Sequence, residues 1–395
     1  MEMARRTFWL LCIFSVAARV ALIATTYGTN DVGFMATSVA LVRQVGIARA
    51  YAHTAMMNHP PLGFAYMTLI ERIGAALGLA FTDVFRGFQV VGDVIAAIAL
   101  YRIGERIGGI SSGQKLSLFL LLSPAAAFVS AFHCNTDATM SALLAIAVAF
   151  FVADRPALSG AALAVAGGIK IVPLLLVPLF FIYTPRRVAF LTAFAITAAI
   201  LFLPPILIGG PIVARVVFGY AGGLPFEWGI PGVAFAISRT LPSAHDAGQS
   251  VMKFYALHGR YFVYTGIAAV ILIVLRRPGE AKTRLPQAIE IMFLTLLALA
   301  PGFGVQYVQW LIAFLPFALS WRGAIAMNAA ISVFLFVTYT VWSGGWPWWF
   351  ADIARPGPHR YVAAVAGCAM WAIVCVALAV ALRRFIRTSQ PETAG

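Results

Sequence analysis

Charged residues are scarce in this sequence, and acidic ones most of all. Only 11% of the 395 residues are charged, with 14 Asp and Glu against 28 Lys and Arg, whereas 62% are hydrophobic and the mean hydropathy is +0.90. No polar stretch is long enough to fold as a soluble domain, which excludes a soluble globular protein. The composition predicts an all-α fold, a polytopic membrane helix bundle that forms one integral-membrane domain over residues 1–395.

Several chemical signatures are missing as well. The four cysteines provide no disulfide framework, because Cys12, Cys368 and Cys375 lie inside apolar runs. The sequence contains no metal-ligand spacing, no nucleophile elbow and no glycine-rich phosphate loop, and His53 and His59 are isolated from other possible zinc ligands. The sequence therefore implies no cofactor and argues against a firmly held divalent metal ion.

The net charge of +14 is not distributed as in a nucleic-acid-binding protein. The basic residues form short clusters between apolar runs, a pattern that keeps basic loops in the cytoplasm and attracts anionic lipid headgroups. The clusters are Arg5-Arg6, Arg186-Arg187, Arg276-Arg277 with Lys282 and Arg284, and Arg383-Arg384 with Arg387. The pattern predicts membrane lipids as partners, no nucleic acid, and an uncleaved signal anchor at the N-terminus.

The apolar runs predict a multi-pass protein of the bacterial cytoplasmic membrane, with both termini in the cytoplasm. A helix needs about 20 predominantly apolar residues to cross about 30 Å of hydrocarbon. Twelve crossings are expected, at 7–27, 84–102, 116–133, 138–153, 157–169, 171–184, 188–208, 258–275, 288–301, 305–320, 324–342 and 361–382.

Two long external loops are expected between these crossings. Loop 28–82 should carry interfacial helices at 33–50 and 62–80, because Glu71-Arg72 would be costly at bilayer depth and an extra crossing would move basic residues outside. Loop 209–257 is rich in Gly, Pro and aromatic residues and should form part of a site wall.

Residues 157–184 should cross the membrane twice, as a hairpin of two short helices. The segment lies between Asp154-Arg155 and Arg186-Arg187, and both markers indicate the cytoplasmic side. Short segments interrupted by Gly and Pro are tolerated where they line a protein-walled cavity. This topology places Lys170, near the tip of the hairpin, at the external face.

The same topology turns all six histidines and several acids outward, so the site is expected outside the cytoplasm. Asp31 follows the first crossing, where it either stops the helix or serves as a general base for a lipid-borne substrate. Asp137 either caps the helix that follows it or holds a substrate hydroxyl or a metal ion. Their neighbours in sequence, Asn30 and His133, are candidate substrate-binding residues.

Two cations and a histidine complete the candidates on this side. Lys170 and Arg86 lie close to apolar segments, and each either pairs with a carboxylate such as Asp93 or neutralises a lipid phosphate. His59 precedes two prolines, whose stiffness suits both a site wall and the ordinary beginning of a helix.

Four segments, taken in order, resemble the GT-C superfamily of integral-membrane glycosyltransferases, which use polyprenyl- or dolichyl-phosphate sugars. Asp31 stands where that superfamily keeps its catalytic acid, and NHPPL at 58–62 is similar to its (H/Y)PPL run. GIKIVP at 168–173 is similar to a G-x-K-x-x-P hairpin. QYVQW at 306–310, together with Leu315-Pro316, is similar to the QY-x-x-W…LP segment of members that depend on prenyl-phosphate mannose. Without the resemblance, QYVQW would be interpreted as part of an aromatic belt. The order agrees over roughly residues 1–320, although no acidic DxD pair is present.

The resemblance implies an inverting transferase that acts on the outer face of the membrane. It would move a hexose, with mannose favoured, from a polyprenyl-phosphate donor to a lipid-linked or cell-envelope glycan acceptor. Asp31 would be the general base, and Lys170 with Arg86 or His59 would meet the charge of the phosphate leaving group. The residues implied in substrate binding are Asn30, His59, Arg86, His133, Asp137, Lys170, Gln306 and Tyr307.

Two other functions remain open at the level of sequence. A transporter or lipid flippase would explain twelve crossings, but it predicts ionisable residues near the midplane of several helices, whereas the charges here crowd the outer boundary. A polyprenyl-diphosphate glycan polymerase or ligase would show several cations in one large external loop, and loop 209–257 has only Arg215, Arg239 and Lys253.

Overall fold

The computed structural model describes residues 3–54, 57–219, 228–277, 279–352 and 358–387, and helices dominate these ranges. The all-α prediction is confirmed. Contacts divide the chain into two compact units, Met1–Tyr220 with Trp349–Ile353, and Ala221–Trp348 with Ala354–Gly395. The assignment of the whole chain to one integral-membrane domain stays a prediction.

The first unit contains eleven helices among its described residues, with short 3-10 and π-helical turns between some of them. They are α1 (Arg5–Thr25), α2 (Asn30–Val45), α3 (Ile47–Ala50), α4 (Pro61–Leu77), α5 (Phe81–Leu121), α6 (Pro124–Ala127), α7 (Asp137–Val152), α8 (Pro156–Ile169), α9 (Val177–Tyr183), α10 (Arg187–Gly209) and α11 (Pro211–Phe218). A π-helical turn covers Phe128–His133, and a 3-10 turn covers Val172–Leu176.

The second unit contains seven helices in its described part. They are α12 (Gly229–Thr240), α13 (His245–Arg276), α14 (Ala281–Leu299), α15 (Gln309–Ile312), α16 (Leu315–Ala318), α17 (Trp321–Ser343) and α18 (Pro358–Arg387). The 3-10 turns Pro242–Ala244 and Val305–Val308 precede α13 and α15.

The chain is a membrane protein by the length and composition of its helices. Among the described residues six helices are long and apolar enough to span a bilayer: Arg5–Thr25, Phe81–Leu121, Arg187–Gly209, Pro242–Arg276, Trp321–Ser343 and Tyr361–Arg387. Three shorter apolar helical stretches lie at Asp137–Val152, Pro156–Ile169 and Val172–Tyr183. The last two fall in the segment expected to form a hairpin, whose two crossings stay a prediction. The count of twelve crossings is not confirmed, and the orientation in the membrane stays a prediction.

Some boundaries differ from the expected ones because local packing overrides hydropathy. Two expected crossings, 84–102 and 116–133, begin within the single element α5, which bends where Gly108 and Gly109 leave helical geometry. The described part of 209–257 is largely helical and not an irregular loop. Its other residues, 220–227, lie outside the described ranges.

The helices expected in the segment 28–82 are present and pack on each other. Val32, Met35 and Val39 recur at helical spacing on one face of α2, and all three belong to a buried hydrophobic cluster. Phe64 and Met67 of α4 belong to the same cluster. The apolar faces of α2 and α4 therefore form one buried cluster, and it begins at Val32, the residue after Asp31.

A short parallel pairing links distant parts of the first unit. Strand β1 (Gly28–Thr29) pairs with β2 (Phe350–Ala351), so that Gly28 lies opposite Phe350 and Thr29 opposite Ala351. Gly28 has φ +102°, and a Cβ atom there would lie 2.9 Å from the carbonyl oxygen of Phe132. Only glycine fits this position without strain. The sequence did not predict this pairing, because two-residue strands leave no periodic signal.

A buried ion pair joins α1 to α5. Arg19 Nε donates to Asp93 Oδ2 at 3.0 Å, with both side chains almost fully buried. Arg19 Nη1 also donates to Ser15 Oγ at 2.6 Å and to the Leu121 carbonyl oxygen at 2.7 Å. Each charge is tolerated in this apolar setting because the other one compensates it.

Removing Arg19 alone should therefore destabilise the first unit strongly. Arg19→Leu removes the guanidinium that compensates the buried Asp93 carboxylate, which should lower the free energy of unfolding by about 3–5 kcal/mol. The double variant Arg19→Leu/Asp93→Leu should recover most of that loss, as measured by denaturant titration in micelles. Arg43→Leu is the control, because Arg43 pairs with Glu71 at the surface and should cost at most about 1 kcal/mol. A double variant no more stable than Arg19→Leu would contradict this interpretation.

Candidate functional site

The Asp31 carboxylate lies at the beginning of a helix and close to solvent. Asp31 stands in the first turn of α2, directly after β1, and its side chain is 16% exposed. The unpaired amide groups and the macrodipole at a helix N-terminus favour a negative charge there. The N-terminus of its own helix therefore stabilises the carboxylate, while part of the Asp31 side chain stays accessible to solvent.

Two side chains from one short segment bind the same oxygen of Asp31. His133 Nε2 lies 3.0 Å from Asp31 Oδ2, and Asn135 Nδ2 donates to Oδ2 at 3.0 Å. His133 ends the π-helical turn, and Cys134 then adopts a left-handed conformation with φ 63°. Both features are uncommon, and both concentrate at functional sites. Oδ1 of Asp31 accepts no hydrogen bond from a described residue.

These partners keep Asp31 ionised. Burial by itself would raise the pKa of Asp31, but the hydrogen bond and charge of His133, the hydrogen bond of Asn135 and the charge of Lys170 outweigh it. The pKa of Asp31 therefore lies below its ordinary value, and the group is a carboxylate at neutral pH.

His59 extends the same hydrogen-bonded chain. Its Nε2 lies 3.2 Å from Asn135 Oδ1, and its Nδ1 lies 2.8 Å from the side-chain amide of Asn58. Burial and the positive charge of Lys170 lower the pKa of His59 to about 4, so the ring is neutral at pH 7. Both ring nitrogens face amide oxygens, and a neutral ring carries one N–H group, so His59 donates either to Asn135 Oδ1 or to Asn58 Oδ1. The Asn135 amide in turn donates to Asp31.

Lys170 and Asp137 form an ion pair in the site. Lys170 Nζ donates to Asp137 Oδ1 at 2.7 Å; Asp137 is fully buried, and the Lys170 side chain is 11% exposed. Asp137 opens α7 but makes no side-chain cap, since Thr136 occupies the N-cap position. Capping is therefore not its role. Asp137 holds Lys170, and of the pair only Lys170 reaches the surface.

Close backbone contacts bring these side chains together. Pro60 precedes α4 in an extended conformation, and Pro61 begins the helix, which orients His59. A Cβ atom on Gly63 would lie 2.9 Å from the carbonyl oxygen of Ile169, the residue before Lys170. The first turn of α4 therefore packs directly on the end of α8, so that the charge of Lys170 acts on His59.

Arg86 pairs with a carboxylate, which is one of the two alternatives left open by the sequence, but the partner is Asp83 and not Asp93. Its guanidinium is fully buried and donates to the carbonyl oxygens of Ile23 and Thr26, at 3.1 and 2.8 Å, and to Asp83 Oδ1 at 2.7 Å. It also reaches the carbonyl oxygen of Ala131 at 3.4 Å. These bonds give Arg86 a structural role, since they tie the end of α1 to α5 and to the π-helical turn. A part for Arg86 in substrate binding stays a prediction.

Sequence reasoning missed Asn135 and Asp352. Asn135 lies between the candidates His133 and Asp137, but its side chain is neutral and gives no charge signal in the sequence. Asp352 lies far along the chain from the other candidates. Asn30 Nδ2 donates to Asp352 Oδ1 at 2.9 Å, across 322 residues of sequence. A contact of that sequence separation leaves no local signal.

Gln306 and Tyr307 belong to the second unit. Both are buried in the 3-10 turn before α15, where Tyr307 stacks on Trp310 at 4.4 Å and meets Phe303 edge to face at 5.9 Å. This aromatic packing explains the residue types around 303–310. Their part in substrate binding stays a prediction.

The described residues contain no group of three or more His, Cys, Asp and Glu side chains arranged to hold a metal ion. No protein-family model matches the sequence, and no curated protein matches it significantly. In the first unit the candidate site consists of an ionised acid, two histidines, two amides and a lysine held by a buried acid.

Removing either donor to Asp31 should raise its pKa. In His133→Phe or Asn135→Leu the ionised form loses one hydrogen bond while burial remains, so protonation becomes easier. Isotope-edited infrared titration of the Asp31 carboxylate band, with Asp31→Asn as the blank, measures the change. Ser130→Ala is the matched control, because this buried hydroxyl of the same turn bonds only to the Ala126 carbonyl oxygen. A pKa in both variants equal to that of the wild type would contradict the assigned hydrogen bonds.

Proposed function

We propose that this chain is a membrane glycosyltransferase that moves a hexose from a polyprenyl-phosphate donor to a glycan or glycolipid acceptor, with Asp31 as general base. The observation that carries the proposal is the carboxylate of Asp31, whose Oδ2 is fixed by His133 and Asn135 while Oδ1 stays available. Transfer would be inverting and would take place on the outer face of the membrane. Mannose is the favoured hexose.

The proposed reaction needs one base. The acceptor oxygen would form a bond to the anomeric carbon of the donor as the bond from that carbon to the phosphate oxygen breaks. The phosphate leaves with the electron pair, and the acceptor proton passes to Asp31 Oδ1. A carboxylate of lowered pKa suffices, because the hydroxyl becomes acidic only as its oxygen bonds to carbon. A phosphate leaves without protonation, so a facing acid, as in glycoside hydrolysis, is not required.

Lys170 would stabilise the leaving phosphate. An ammonium group has three donors, so Lys170 can keep its bond to Asp137 and still donate to a phosphate oxygen. Asp137 keeps the ammonium in place, and the small exposure of the Lys170 side chain limits competition from water. A preorganised cation of this kind is most effective where charge develops during the reaction.

Asp31→Asn should abolish transfer while the fold persists. Asparagine keeps the shape but cannot accept the proton, and loss of a general base typically costs at least about 100-fold in rate. The assay supplies membranes with radiolabelled polyprenyl-phosphate hexoses and follows the label that leaves the carrier. The matched control is Asp246→Asn, an exposed acid in the first turn of α13, which should retain activity. Near-wild-type transfer by Asp31→Asn would refute the proposed role.

The role of Lys170 can be separated from its structural pairing. Lys170→Gln alone leaves Asp137 buried without its cation, so the informative variant is Lys170→Gln/Asp137→Asn, in which no buried charge remains. This variant should fold but lose transfer by about 100-fold, because the phosphate loses its charged donor. Asp137→Asn alone keeps the ammonium and should retain much more activity. Equal activity of the single and double variants would exclude Lys170 as the phosphate ligand.

A further inference from the structure

Two exposed aromatic rings lie side by side where the chain approaches Asp31, four residues before it in the sequence. Tyr27, after the end of α1, and Trp349, just before β2, are 46% and 64% exposed, and their ring centroids lie 6.4 Å apart. Phe350 closes the group, with its ring 5.9 Å from that of Tyr27. The three residues and the strand pairing belong to the first unit.

The backbone holds this group in place. The amides of Tyr27 and Gly28 both donate to the Trp349 carbonyl oxygen, at 2.7 and 3.3 Å. The two-residue ladder continues the pairing to Ala351, and the hydrogen bond between Asn30 and Asp352 closes its far end. The rings are therefore presented by fixed backbone, which lowers the entropy cost of binding.

The polar groups beside the rings select the kind of ligand. Asp352 and Asn30 are half-buried, and Asp31 follows Asn30 directly. An ionised carboxylate offers about four acceptor sites, so Asp352 can bind hydroxyl groups while it accepts from Asn30. Aromatic faces carry negative charge that attracts polarised C–H groups. A neutral sugar offers both hydroxyl donors for the Asp352 carboxylate and an apolar C–H face for the aromatic rings.

We infer that Tyr27, Trp349, Asn30 and Asp352 form a saccharide ledge, a subsite that holds a neutral hexose ring of the acceptor beside Asp31. The inference rests on the proposed function, because that function makes the ligand an acceptor sugar. The rings stack on the sugar, and the Asp352 carboxylate accepts from its hydroxyls. The ledge thereby directs one hydroxyl of the acceptor towards Asp31.

The kinetic test asks whether the ledge binds the acceptor and not the donor. With decyl hexopyranosides as acceptors, Tyr27→Ala and Trp349→Ala should each raise the acceptor KM about tenfold, the size of one lost aromatic contact. The donor KM and kcat should change little. Trp9→Ala is the control, because Trp9 is 55% exposed and lies about 24 Å before the end of α1 at 1.5 Å per residue. An unchanged acceptor KM in both ledge variants would overturn the inference.

A binding test works without transfer and separates the two proposals. Asp31→Asn protein labelled with 5-fluorotryptophan is placed in nanodiscs, the Trp349 signal is assigned through Trp349→Phe, and methyl hexopyranosides are added. A saturable shift of the Trp349 signal, weakened about tenfold in Asp352→Asn and absent at Trp9, is expected. Hexoside binding by this variant, together with a wild-type protein that transfers no sugar from any polyprenyl-phosphate hexose, would keep the ledge and remove the proposed reaction. Broadening of Trp349 by headgroup-spin-labelled lipid, with no response to any hexoside, would overturn the ledge and assign the rings to the lipid interface.

Discussion

A guanidinium buried in an apolar helix bundle has to donate its hydrogen bonds to the protein, and Arg86 does so where three elements of the first unit meet. It binds the carbonyl oxygens at the end of α1, which have no partners within that helix, together with the π-helical turn and Asp83 of its own helix. An unsatisfied donor here would cost several kcal/mol in a low dielectric. The Arg86 side chain therefore fixes both the backbone at the end of α1 and the backbone of the π-helical turn that ends at His133.

The candidate site depends on that coupling. The chain that leaves α1 reaches Asp31 within a few residues, and Thr29 Oγ1 donates to the carbonyl oxygen of His133 at 2.8 Å. The acid and its histidine are thus fixed to each other by backbone as well as by side chains. Hydrogen bonds in a buried network strengthen one another, and an incomplete network is costly. The position of Asp31 Oδ2 therefore depends on several elements, because His133 and Asn135 bind this oxygen and His59 in turn contacts Asn135.

Much of the architecture follows from local sequence, and the site follows only in part. Hydropathy predicts the long helices and the broken hairpin, because the spacing and length of apolar residues are local properties. The same reasoning predicted that Asp31, His133, Asp137 and Lys170 lie on one side of the membrane. In the first unit Asp31 contacts His133, and Lys170 contacts Asp137. The sequence could not decide between two roles for Arg86, because an arginine next to an apolar run looks the same whether it binds a phosphate or caps a helix.

The sequence by itself determined an all-helical membrane protein and the residue types that could carry its chemistry, since both depend on composition and on short-range periodicity. Only the tertiary structure decided which charge meets which. Arg19 pairs with Asp93 across 74 residues, Lys170 with Asp137 across 33, and Asn30 with Asp352 across 322. The charge of a carboxylate can be read from the sequence, but its partner cannot. The partner is selected by the packing of helices that are distant along the chain. That selection pairs Asp137 with Lys170, whereas Asp31 accepts from His133 and Asn135 through Oδ2 alone among the described residues.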